Sequence, residues 1–134
     1  MVHLVFGLRR KSSMTQEEFL KYWREVHGPL VQRLAPTLRI RRYDQGYPLH
    51  AEIATALASV RSAPDPFDGV CSLWFDSLED ISESVSTKEG RAAARELQAD
   101  EARFIDLESS PIWLYDDATF VDEYEPSLVA VPPN

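Results

Sequence analysis

His27 and Asp100 are the two residues of this 134-residue chain best suited to moving a proton. Imidazole titrates near neutrality, so a neutral histidine can draw a proton from carbon or oxygen of a small molecule and return it elsewhere. His27 stands one helical turn after Trp23 and directly before Gly28-Pro29, where an apolar helical pattern is interrupted. Pro29 has no N–H and crowds the carbonyl of Glu25, so the spacing predicts a kinked helix with a freed carbonyl opening onto a cavity. The competing role for His27 is a core or capping histidine bonded to that carbonyl. Asp100 shares a stripe with Ala93, Leu97 and Phe104, which sets an acid on an inward helix face. A carboxylate there can orient His27 and favour its imidazolium; the competing role is a half-exposed acid paired with an arginine. Its neighbour Glu101 is expected to point away into solvent.

Other side chains could complete such a site. Tyr43, at a strand end, offers a hydroxyl that could polarise a carbonyl. Together with Tyr22, Trp23 and Trp74 it could line an apolar pocket and stack on a ring-shaped ligand, although core packing is the ordinary use of each. Arg41 and Arg39 share the parity of Tyr43; they could hold a carboxylate or enolate, or simply guard a sheet edge. Cys71 lies mid-strand on an apolar face, which suits an inert buried thiol. If that face looks at His27, Cys71 becomes a second acid/base or nucleophile. His50 could swing over the pocket as part of a lid, and His3 reads as surface or strand packing. The three His fall in three different elements with no H-x-x-x-H or C-x-x-C spacing, so no metal site is expected. Five Gly form no phosphate loop, so no nucleotide cofactor is expected either, and the site reads as cofactor-free. No motif in the sequence demands haem.

These residues need elements to position them. Val2 to Leu8 reads as a strand. Thr15-Gln16-Glu17-Glu18 is a capping box that opens a helix carrying Phe19, Tyr22, Trp23, Val26, Leu30 and Leu34 at three- and four-residue steps. Thr37–Tyr43 alternates as a second strand, 47–66 reads as an inserted helix or flap, and Phe67–Phe75 is a third strand. Ser77 caps a short helix, Thr87 opens a longer one to about Phe104, and Ser110–Tyr115 is the fourth strand. The order β-α-β-β-α-β, right-handed at its crossovers, predicts an α+β fold: a ferredoxin-like plait over residues 1–116 with helices on one face of an antiparallel sheet. The bare face calls for a second copy, two sheets closing a dimeric α+β barrel in a homodimer. Residues 117–134 read as an acidic, proline-containing arm.

Composition removes several classes. Fourteen Lys+Arg against 22 Asp+Glu give a formal charge of −8, which disfavours nucleic-acid and membrane partners. No apolar run approaches the ~20 residues of a membrane span, and the opening MVHLVFGLRRK lacks the order of a signal peptide. One Cys excludes a disulfide framework within the chain and suits a cytoplasmic protein. The charge is also uneven. Residues 1–42 hold nine basic and three acidic side chains, and the remainder holds five and 19. The acidic arm is therefore expected against Arg9, Arg10 or Arg41 of its own or a partner subunit.

Taken in order and spacing, several segments resemble the EthD domain family, a branch of the dimeric α+β barrel proteins. They are Arg9-Arg10-Lys11, Met14 to Phe19 with Tyr22-Trp23, His27-Gly28-Pro29-Leu30-Val31, Phe67-Asp68-Gly69-Val70, Leu73 to Asp80, Asp100-Glu101 and Phe104-Ile105-Asp106. The resemblance implies a barrel-forming homodimer with a pocket between helices and sheet, and it strengthens His27 as the functional histidine. The family takes its name from an ether-degradation gene cluster, where it accompanies a cytochrome P450 system. Related members look like cofactor-free dehydratases or cyclases of aromatic polyketides and lactone isomerases, while other barrels of the superfamily are monooxygenases or bind haem. The first expectation is therefore a small enzyme working by acid/base chemistry: dehydration, isomerisation or cyclisation of an apolar cyclic molecule. A non-catalytic ligand-binding accessory of a degradative oxygenase pathway and a monooxygenase are the alternatives.

Overall fold

The computed structural model describes residues 1–124. Its elements follow in the order β1 (Val2–Leu8), α1 (Gln16–Tyr22), a π-helical turn (Trp23–His27), α2 (Gly28–Leu38), β2 (Arg42–Gly46), α3 (Glu52–Ser59), β3 (Gly69–Phe75), α4 (Leu78–Ser84), α5 (Lys88–Phe104), a 3-10 turn (Leu107–Ser109) and β4 (Ile112–Tyr115). The strands form one antiparallel sheet in the order β2-β3-β1-β4, the ferredoxin-like arrangement.

The pleat divides the side chains. Leu4 stands opposite Leu73, and Phe6 opposite Cys71 and Ile112, so these residues share the face that looks at the helices. Phe6, Leu8, Cys71, Leu73 and Phe75 are buried there against Phe19, Trp23, Phe104 and Ile105. On the other parity His3, Val5, Ser72, Trp74, Trp113 and Tyr115 stand together on a face that bears no helix. A smaller cluster of Leu34, Leu38 and Ala93 ties α2 to α5.

At the Pro29 interruption the helical hydrogen-bond ladder changes pattern. The chain widens into a π-turn, in which the Gly28 N–H donates to the Trp23 carbonyl five residues back. This extra residue sets Pro29 in the first turn of α2, where a missing N–H costs little. The Trp23 carbonyl also accepts from Gln45 Nε2 (2.9 Å), so β2 reaches across to hold the turn. The capping box forms at α1: Glu18 N–H donates to Thr15 Oγ1 (3.1 Å) and Thr15 N–H to Glu18 Oε1 (2.8 Å).

The second strand starts later than its alternation predicts. Leu34 and Leu38 lie one helical turn apart on the same small cluster, so helix α2 continues to Leu38. Arg39 then breaks it in a left-handed conformation (φ 59°) and pairs with Asp80 (2.7 Å) and Glu83 (2.9 Å). Helix α3 has no buried residue; Leu49, Ile53, Leu57 and Val60 around it are exposed. The start of the acidic arm meets a different residue from those expected within the protomer. Asp117 lies 3.1 Å from His3 Nδ1, whereas Arg10 lies against Asp68, Arg41 faces Asp76 and Arg9 stacks over Phe67. Glu125 and the rest of the arm lie outside the described residues. Among the described residues no helix is long and apolar enough to cross a membrane.

Candidate active site

A cavity of about 270 Å³ lies between the inner face of the sheet and helices α2, α4 and α5. Most of its wall is apolar, with Phe6, Leu73, Phe75, Val31, Leu97 and Ile112 among the contributors. Polar groups reach it at few points: His27 from the π-turn, Tyr43 from β2, Cys71 from β3, Ser84 from α4, and Gln98 and Glu101 from α5. A few convergent polar groups in an apolar chamber are the ordinary composition of a small-molecule site.

The π-turn presents His27 to this chamber, and α5 anchors it from behind. His27 is buried and its Nδ1–H donates to Asp100 Oδ2 at 2.7 Å. The other carboxylate oxygen of Asp100 accepts from the Tyr22 hydroxyl at 2.5 Å. Because a carboxylate can only accept, Nδ1 must carry the proton, and the neutral ring keeps its lone pair on Nε2. Phe104 packs beside the imidazole, with ring centroids 5.0 Å apart. Burial pulls the His27 pKa below its ordinary value, outweighing the opposite pull of Asp100, so the ring is a neutral base at pH 7.

Tyr43 lies opposite on the sheet, paired in register with Leu73. Its oxygen accepts from Gln45 Nε2 (2.8 Å), and the same amide nitrogen holds the Trp23 carbonyl. Gln45 thus couples the turn that carries His27 to the phenol, whose own O–H remains free to donate. Burial, and the nearby Cys71, push the phenol well above its usual pKa, so it stays a donor. The Cys71 thiol is raised similarly, first by burial and then by the charges of Glu101 and Asp44, which makes it an unreactive wall group at neutral pH.

Five of the nine site residues expected from sequence meet here: His27, Asp100, Tyr43, Trp23 and Cys71. Tyr22 joins indirectly, its hydroxyl on Asp100 and its ring on Phe104 at 5.1 Å, outside the cavity wall. Three others lie elsewhere. Trp74 follows the opposite parity of β3 and stacks on His3 (centroids 4.3 Å apart) on the helix-free face. Arg41 is exposed and 3.5 Å from Asp76, and His50 is exposed in the loop before α3.

Glu101 reverses its expectation. It walls the cavity, and its pKa is pushed up to about 7, chiefly by burial and then by the neighbouring Asp100 charge. The signal was present in sequence: Ala94, Gln98, Glu101 and Ile105 form a second helical stripe, about 100° round from the first. Among the described residues no three His, Cys, Asp or Glu side chains gather as a metal site.

The comparisons agree with this architecture. The EthD domain model matches residues 11–108. Among curated proteins none matches. Among solved structures, an ethyl tert-butyl ether d (EthD) family protein of Bacillus halodurans C-125 superposes with TM-score 0.59 at 15% identity, over 88% of this chain and 99% of its own. A dimeric protein of unknown function and ferredoxin-like fold from Bacteroides fragilis gives 0.54 at 15% identity, over 87% and 95%. A Deinococcus radiodurans protein, provisionally described as an antibiotic biosynthesis monooxygenase, gives 0.52 at 12% identity, over 93% and 100%. At such identities these neighbours speak for the fold. The family match spans most of the chain, which carries the His27 and Asp100 pair inside it: the chain belongs to the EthD domain family.

Proposed function

We propose that this protein is a cofactor-independent enzyme that rearranges an uncharged, apolar cyclic small molecule by proton transfer, in a dehydration, isomerisation or cyclisation. The observation that carries this reading is the His27 ring: its Nδ1–H is tied to buried Asp100, and the ring itself walls an apolar chamber. The lone pair on Nε2 takes a proton from a carbon beside a carbonyl. Asp100 holds the tautomer and steadies the imidazolium that forms. Tyr43 donates its free hydroxyl to the oxygen on which negative charge develops, and the apolar walls strengthen that hydrogen bond. The returned proton completes an isomerisation; loss of a neighbouring hydroxyl completes a dehydration.

The functional unit in this reading is a homodimer. The helix-free face exposes Trp113 (72%) and Tyr115 (52%) beside Val5 and Trp74, and a second copy laid across it would cover both sheets. A neighbour sharing the fold is described as dimeric.

The test uses 1-tetralone, a neutral bicyclic ketone with exchangeable hydrogens at C2. Wild-type protein in D2O should exchange them, followed by proton NMR, and His27→Ala should lower the rate by about 10²-fold or more. An unchanged rate in the variant would show that His27 is not the base.

A further inference from the structure

We infer that Glu101 is a second catalytic group of this cavity, the proton donor to a departing hydroxyl, and that the substrate is an uncharged cyclic β-hydroxyketone. This rests on the reading of His27 as base and narrows its chemistry to elimination.

The geometry comes first. Asp100 and Glu101 are consecutive on α5, so one looks at the π-turn and the other at the sheet. Glu101 thereby shares the chamber with His27, Tyr43 and Cys71. Its carboxyl has no hydrogen bond or ion pair to any side chain among the described residues. The groups facing it are few: Asp100 on its own helix, His27 on the π-turn, Tyr43 on β2 and Cys71 on β3, with Asp44 behind Cys71. The walls from β1, α4 and β4 contribute Leu4, Phe6, Ile81, Ser84 and Ile112, none of them charged. No cation therefore favours the carboxylate, and burial beside Asp100 brings the group to about 7. A leucine would pack such a wall without this penalty, and local conflict of that kind belongs at functional positions. The same absence of a cationic wall residue disfavours an anionic substrate.

The step balances within the pair. His27 Nε2 takes the proton α to the ketone, and the C–H electrons become the C=C bond as the C–O bond at the β carbon breaks. Glu101 gives its proton to the leaving oxygen and water departs. The imidazolium and carboxylate that remain restore themselves by passing one proton back.

Two probes separate the roles: 1-tetralone has no group to expel, whereas 3-hydroxy-1-tetralone loses water to 1-naphthol, read by fluorescence. With the full chain at pH 6.5, Glu101→Gln should lose about 100-fold in 1-naphthol formation, at least about tenfold more than it loses in C2 exchange of 1-tetralone. It should also lose the alkaline fall-off expected near pH 7 in the wild type. Naphthol formation kept within about threefold of wild type, or both reactions lost together, overturns the assignment of Glu101 as leaving-group donor. A wild type that exchanges no 1-tetralone overturns the underlying reading of His27. Apart from any probe, carbon-13 NMR of the carboxyls with E101Q as blank must find Glu101 titrating near 7, and a Glu101 ionised throughout at pH 6 ends the proposal.

Discussion

Removing the Glu101 charge should stabilise the protein, and only at high pH. The carboxyl titrates at about 7 in the fold against an ordinary 4.5. Its folded pKa is raised, so the folded state binds the proton more tightly than the unfolded chain does. The proton-linked stability is complete below 4.5, declines as pH rises, and is gone above about 7. At about 1.4 kcal/mol per pH unit, the gap between the two values costs the wild type roughly 3 kcal/mol at pH 8. Glu101→Gln keeps the shape and cannot ionise. Urea unfolding at pH 4.5 and pH 8 measures the difference. With a slope near 2 kcal/mol per molar, the variant's midpoint should lead the wild type by about 1.5 M more at pH 8 than at pH 4.5. Titrating groups that do not interact with Glu101 are common to both proteins and cancel in the comparison. A lead that is the same at both pH values would refute the reasoning, because it would mean that the carboxyl is hydrated and does not face an apolar chamber.

Three further outcomes follow from the same contacts. Asp100→Asn removes the charge that raises His27, so the base should titrate lower still; the acid limb of 1-tetralone exchange should shift downward and the plateau rate fall by about 10²-fold. In Gly69→Ala the new methyl would overlap the Trp23 ring, and urea unfolding should show a loss of about 1–3 kcal/mol as the cavity wall shifts. Native Cys71 should resist a disulfide reagent at pH 8 and label fully only after denaturation, because the thiol is buried and its ionisation is suppressed; rapid native labelling would show that the chamber opens at Cys71.

Local signals made much of the architecture legible. The short apolar run Val2–Leu8, the Thr15–Glu18 capping box and the stripe Ala93, Leu97, Asp100, Phe104 each rest on neighbours in sequence, and such local signals carried most of the four-stranded plait. That stripe also brings Asp100 to the helix face where His27 waits. What could not be read depended on which neighbour lies across the gap. Glu101 belongs to a stripe only one residue removed from that of Asp100, and only the position of the sheet decides which stripe bounds a cavity. Trp74 could not be placed because β3 is apolar on both parities. The Leu38 and Ile40 alternation fits a strand as well as a helix end, and Arg39 in its left-handed turn decides it. The π-turn is held by Gln45, a tertiary contact from a strand whose position the periodicity displaced.

The central claim, a neutral imidazole with its lone pair turned into the chamber, is open to nitrogen-15 NMR of labelled histidine. His27 should show the Nδ1–H tautomer through pH 7, with a pKa below the ordinary histidine value, and its Nε2 resonance should move when 1-tetralone is added. An imidazolium at pH 7, the opposite tautomer, or an Nε2 signal indifferent to the ketone would contradict the account.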